Sequence, residues 1–126
     1  MNQHFHLGLL HFTHLLVSAD GTVDTSELDA MLKIKINESI PEETFQDFDR
    51  QISSLSEQEV YMRGLDHLSN CSTREKVKVF ATLYRLSEVD GRVHAKEIRL
   101  LLYSLKTAGI EFNEVVEFAK QHPFTF

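Results

Sequence analysis

The sequence predicts an all-α protein, a single compact bundle of about seven helices arranged as two pseudo-repeated helix–Asp-Gly loop–helix halves. Three observations carry this reading. Apolar residues recur at three- and four-residue steps through most of the chain, only two prolines and five glycines interrupt its 126 residues, and one turn motif occurs twice. The motif is Asp20-Gly21-Thr22-Val23-Asp24-Thr25-Ser26-Glu27, repeated as Asp90-Gly91-Arg92-Val93-His94-Ala95-Lys96-Glu97. Both copies read Asp-Gly-x-Val-x-x-x-Glu. Upstream, Leu16 and Val17 align with Leu86 and Ser87. Downstream, Leu28, Met31 and Leu32 align with Ile98, Leu101 and Leu102, so an offset of about 70 residues holds on both sides of the loop.

The first helix is expected from about residue 3 to Ala19. Phe5, Leu9, Phe12, Leu16 and Ala19 form its stripe, Leu7, Leu10 and Val17 lie on other faces, and His4, His11 and Ser18 remain as a narrow polar strip. A helix apolar nearly all round is central or lines an oligomer contact. Asp20-Gly21 ends it, because glycine permits the backbone of a sharp reversal. The second helix starts at Asp24 or Thr25, with Glu27 placed as in a capping box, and runs to about Asn37 with Leu28, Met31, Leu32 and Lys35 on one side. After the linker Glu38-Ser39-Ile40-Pro41, Pro41-Glu42-Glu43 opens a third helix with Phe45, Phe48 and Ile52 as its buried edge.

Ser56-Glu57-Gln58-Glu59 is a capping box for a fourth helix carrying Val60, Met62, Leu65 and Leu68. Thr73 caps the fifth, which runs to about Val89 with Val77, Phe80, Ala81 and Tyr84 on one face and Val79, Leu83 and Leu86 on a second. The sixth spans Ala95 to Ala108 and ends at Gly109, a C-cap glycine. The last, from Glu111 or Phe112 to Gln121, buries Phe112, Val115, Val116 and Ala119 before Pro123 stops it. No segment reads as a strand.

Length and composition predict one domain over residues 1–126, with a core that needs no disulfide. The formal net charge of −6, without a basic block, opposes binding to nucleic acid or anionic lipid and favours cations or basic protein surfaces as partners. Cys71 is the single cysteine, so no internal disulfide forms, and Ser69-Asn70-Cys71-Ser72 supplies no base for a nucleophile. The amino-terminal residues lack a signal-peptide pattern, and no apolar run approaches the roughly 18 residues of a membrane span. The expected location is the cytoplasm.

Aligned on Asp-Gly, each copy matches the second half of a calcium-binding EF-hand loop: an acid at position 5, glycine at 6, an apolar residue at 8 and glutamate at 12. Position 1 is Leu16 in one copy and Leu86 in the other, which removes the anchoring carboxylate of a true EF-hand. The bland alternative gives glycine the turn, valine the core and glutamate the cap. Capping alone does not call for aspartate at both Asp20 and Asp90. If the halves pack about a pseudo-twofold axis, Asp20, Glu27, Asp90 and Glu97 gather at one end, with Asp24, Glu88 and His94 nearby, as a site for a divalent cation or a basic partner. Among the histidines, His4 and His11 are two turns apart on one helix, too far for direct chelation, and His11 and His14 have no cysteine or carboxylate beside them. They read as surface or interface residues.

Leu86-Ser87-Glu88-Val89-Asp90-Gly91-Arg92-Val93 with Glu97, followed by the apolar helix to Ala108-Gly109-Ile110, resembles the tellurite-resistance TerB family. Ser18-Ala19-Asp20-Gly21-Thr22-Val23 with Glu27 fits the same pattern. The resemblance implies an all-helical domain whose two acidic loops form a metal-binding or interaction surface, at Asp20, Glu27, Asp90 and Glu97 here, with Asp24 in the first loop where the second has His94. The family is similar to the amino-terminal domain of membrane-anchored DnaJ-type co-chaperones, whose anchor and J-domain signature are not read in this sequence. The expected function is a non-enzymatic cytosolic adaptor with a protein partner, in a stress-response or membrane-associated assembly, with a divalent cation as the one candidate cofactor. The rivals are a metal-dependent enzyme using the same carboxylates and a structural homodimer through helices one and five.

Overall fold

A computed structural model describes residues 3–17, 25–90 and 105–121, with side chains for all of these except 16–17, 25–28, 30 and 86–90. Its regular elements are helices α1 (Gln3–Val17), α2 (Thr25–Asn37), α3 (Glu42–Ile52), α4 (Glu57–Ser69), α5 (Thr73–Asp90) and α6 (Phe112–Gln121). Residues 105–108 form a helical turn ahead of α6, and no strand occurs among the described residues. The all-α expectation holds. Of the predicted Ala95–Ala108 helix only this turn is described, and Ala19 and Pro123 lie outside the described residues.

Helix α1 is the hub, packing on α2, α3, α4 and α5, while α5 also carries α6. The cause is visible in its sequence. Phe5, Leu9, Leu10, Phe12 and Leu15 are all buried although they point in several directions. Such a helix is stable only when covered on several sides, and its own chain supplies the cover. Each large side chain buried this way contributes about 1.5–3 kcal/mol relative to exposure. Of the expected polar strip, His4 is exposed and Ser18 lies outside the described residues, but His11 is buried, because α3 and α4 close over it.

Helices α1 and α4 run antiparallel, Gly8 facing Leu68 at one end and Gly64 facing Phe12 at the other. A Cβ on Gly64 would lie 3.0 Å from Phe12 Cε2 and 3.3 Å from His11 Cβ, so the glycine sets how closely the two helices approach. Phe12 is held in turn by edge contact with Tyr61 at 6.0 Å and by Phe80 at 5.9 Å between ring centroids. Such aromatic pairs add about 0.5–1.5 kcal/mol beyond area burial.

The helix ends are chemically specified. Ser56 and Glu59 form the predicted capping box at α4. At α5 the capping residue is Ser72, not Thr73: the Glu75 amide donates to Ser72 Oγ at 3.1 Å and the Ser72 amide to Glu75 Oε1 at 2.9 Å. The reciprocal pair needs a glutamate three residues on, which Ser72 has and Thr73 lacks. Helix α2 closes in a Schellman turn, Ser39 N–H to Ile36 O and Ile40 N–H to Lys35 O. The Gly109 N–H to Lys106 O and Ile110 N–H to Leu105 O bonds repeat it, with Gly109 at φ 75°. Ile40 and Ile110, one residue beyond each turn, are buried.

Three predicted core positions are instead exposed: Leu32, Met62 and Phe112. Helix α2 buries Met31 and Ile34, α4 buries Val60, Gly64 and Leu68, and α6 buries Val115 and Ala119. Each helix has more apolar residues than one docking face holds, and the neighbour's shape selects among them. Phe112 keeps one edge on Tyr84, 5.7 Å between centroids. In α3, Phe48 is buried as expected while Phe45 and Ile52 are half-buried. The end of α2 is tied to α5 by Glu38 and Lys78 at 3.0 Å, the glutamate side chain being only 5% exposed.

Candidate functional site

Asp20, Asp24 and Glu97 lie outside the described residues, as do the side chains of Glu27 and Asp90. The described backbone places Glu27 near the start of α2 and Asp90 in the last described turn of α5. The described residues therefore bear on the helices on either side of the first Asp-Gly motif and on the helix before the second.

Helix α2 carries an exposed row: Asp29, Leu32, Lys33 and Ile36. Their spacing of three, four and seven residues puts them on one face, opposite the buried Met31 and Ile34. Leu32 is 47% and Ile36 77% exposed. An isoleucine this open near the end of α2 is apolar surface kept outside the core.

A second group is built where α1 crosses α4. His4, at the start of α1, meets His67, near the end of α4, with Nδ1 to Nδ1 at 3.0 Å and ring centroids 5.3 Å apart. His11 lies beside them, 5.2 Å from the His67 ring and 5.0 Å from Phe48 between centroids. His11 Nδ1 lies 2.6 Å from Leu7 O. A carbonyl only accepts, so Nδ1 carries the proton and the neutral ring leaves Nε2 bare. Burial pushes the His11 pKa down to about 4, with the charges of His67, Arg63 and His14 acting the same way. Burial also lowers His67, helped by neighbouring His4. Burial thus favours the neutral imidazole at His11 and His67.

Cys71 follows α4 and its thiol lies 3.4 Å from His67 O, to which it donates. Burial, reinforced by Glu75, pushes the thiol up to about 11. The thiolate needed for nucleophilic work is scarce at neutral pH, in keeping with the lack of a neighbouring base in Ser69-Asn70-Cys71-Ser72.

His67 is the functional candidate that sequence reasoning missed. It stands alone in its helix, 63 residues from His4, and no periodicity links them. The available signal was the pair of small residues, Gly8 and Gly64, which marks two helices able to approach closely. Among the described residues no helix is long and apolar enough to cross a membrane. No protein-family model matches the chain, and comparisons with curated proteins and with solved structures return no significant match.

Proposed function

We propose that the protein is a TerB-like binding module, a non-enzymatic cytosolic adaptor in a stress-response or membrane-associated assembly. It docks its partner on the outer face of α2 beside the acidic loops. The observation that carries this reading is the exposed Leu32–Ile36 pair on the helix that Glu27 opens. A docking surface needs apolar area for affinity and charge for choice of partner. Here the apolar area shares its face with Asp29 and Lys33 in a chain of net charge −6, so a predominantly basic protein surface with an apolar groove is the partner this reading calls for.

The two halves are taken as repeats of each other. The Schellman turns fall at Ser39–Ile40 and Gly109–Ile110. This pair shares the offset of the two Asp-Gly motifs. On that reading Asp20, Asp24 and Glu27 of one half and Asp90 and Glu97 of the other form a paired acidic site for a divalent cation.

The experiment is a backbone amide NMR titration of chelator-treated protein with calcium, magnesium, manganese and zinc, repeated on Asp20→Asn and Asp90→Asn. Saturable shifts at Gly21 and Gly91, lost in both variants, support the cation site. Silence at millimolar ion leaves the loops as caps or as part of the protein-docking face alone. A homodimer is the second reading, favoured by the same exposed pair. Because α1 is covered within its own chain, the contact would use α2. Sedimentation at two concentrations, with Ile36→Glu as control, separates the two: a monomer throughout supports the adaptor.

A further inference from the structure

We propose that His4 and His67 form a two-histidine clamp for a divalent transition-metal ion, which fastens the start of α1 to the end of α4.

The geometry starts from the two Nδ1 atoms, 3.0 Å apart. If both rings carry their proton on Nε2, two lone pairs oppose each other at that distance, and something positive must lie between them. A proton does so when one ring takes the Nδ1–H form. A metal ion does so with a bond to each nitrogen. Zinc–nitrogen bonds of about 2.0–2.1 Å at a tetrahedral angle set the nitrogens roughly 3.3–3.4 Å apart, so the rings need to part by only a few tenths of an ångström. His4 is exposed and His67 half-buried, which gives an ion a route in from solvent. Binding requires both Nδ1 atoms to be free of a proton, so the ring that donates in the Nδ1–Nδ1 contact must carry its proton on Nε2 instead.

The ligand chemistry selects the ion. Imidazole nitrogen suits zinc, copper and nickel, whereas calcium and magnesium require oxygen. Among the described residues no group of three or more His, Cys, Asp or Glu is placed to hold a metal, so water completes the coordination and the ion exchanges readily. This clamp is separate from the acidic loops and does not rest on them.

The test titrates the full chain, freed of metal by chelator, with zinc chloride, following imidazole ¹⁵N shifts and thermal melting. The expected result is a saturable shift at Nδ1 of His4 and His67 and a melting temperature that rises with zinc, as for any ligand that binds only the folded state. Both responses should be lost in His4→Gln and in His67→Gln, and kept in His14→Gln and in Asp20→Asn/Asp90→Asn. Magnesium should produce neither. Because His4 is exposed, His4→Gln should melt like the parent without zinc, so its loss of response is not unfolding. Absence of the Nδ1 shifts in the parent, or a zinc response that survives both histidine variants, overturns the clamp. A response lost only in the aspartate variants assigns zinc to the loops instead.

Discussion

Ser39 and Gly109 occupy the same position of the same helix-closing turn, with φ 51° and 75° respectively. Each donates its amide three residues back, and each is followed by a buried isoleucine. Only one is glycine. A left-handed backbone costs a non-glycine residue about 1–2 kcal/mol, and the extra freedom of glycine in the unfolded chain returns about 0.4–1 kcal/mol of that. Ser39→Gly should therefore stabilise the fold by about 0.5–1 kcal/mol, and Gly109→Ala should destabilise it by a similar amount. Urea unfolding reads both, and a less stable Ser39→Gly would contradict the account.

The two glycines of the α1–α4 crossing should respond oppositely to alanine. A Cβ at Gly8 meets Leu68 at an ordinary 3.4 Å, so the helix-propensity gain of about 0.8–1 kcal/mol dominates and Gly8→Ala should be neutral to stabilising. At Gly64 the new atom meets Phe12 at 3.0 Å, a buried ring fixed by Tyr61 and Phe80. Overpacking costs about 1–3 kcal/mol, which outweighs the gain. Thermal melts of the two variants should move in different directions.

Removing Lys78 should cost more than an exposed ion pair would. Its partner Glu38 is nearly buried, so Lys78→Met strands a charge and should destabilise by about 3 kcal/mol. The exposed pair of Arg50 and Asp47 should be worth under about 1 kcal/mol. Lys78→Met combined with Glu38→Gln should recover much of the loss, because the stranded charge is gone.

Acid should unfold the protein partly through His11. Its folded pKa, about 4, is below the unfolded value of about 6.5, so the unfolded state binds the proton first as pH falls. The stabilisation from the neutral ring is complete above pH 6.5 and drains away down to about pH 4. His6 and His67, also lowered by burial, add in the same direction. His11→Gln should weaken the protein at pH 7 yet lose less stability between pH 6.5 and 4. Equal pH slopes for the two proteins would remove His11 from this role.

The sequence alone determined the helical class, the capping box at Ser56, the left-handed stop at Gly109 and the nearly all-round apolar character of α1. Each of these is written within a few consecutive residues or one helical repeat, where short-range sterics and hydrogen bonds decide. It named the acidic loop residues but not their arrangement, since Asp20, Asp24, Glu27, Asp90 and Glu97 meet only if two distant loops converge. Tertiary structure decided the rest. It chose Ile34 over Leu32 for the core, turned His11 inward under α3 and α4, and carried His67 across to His4. Those outcomes depend on which helix covers which face, a choice set by the packing of side chains far apart in the chain.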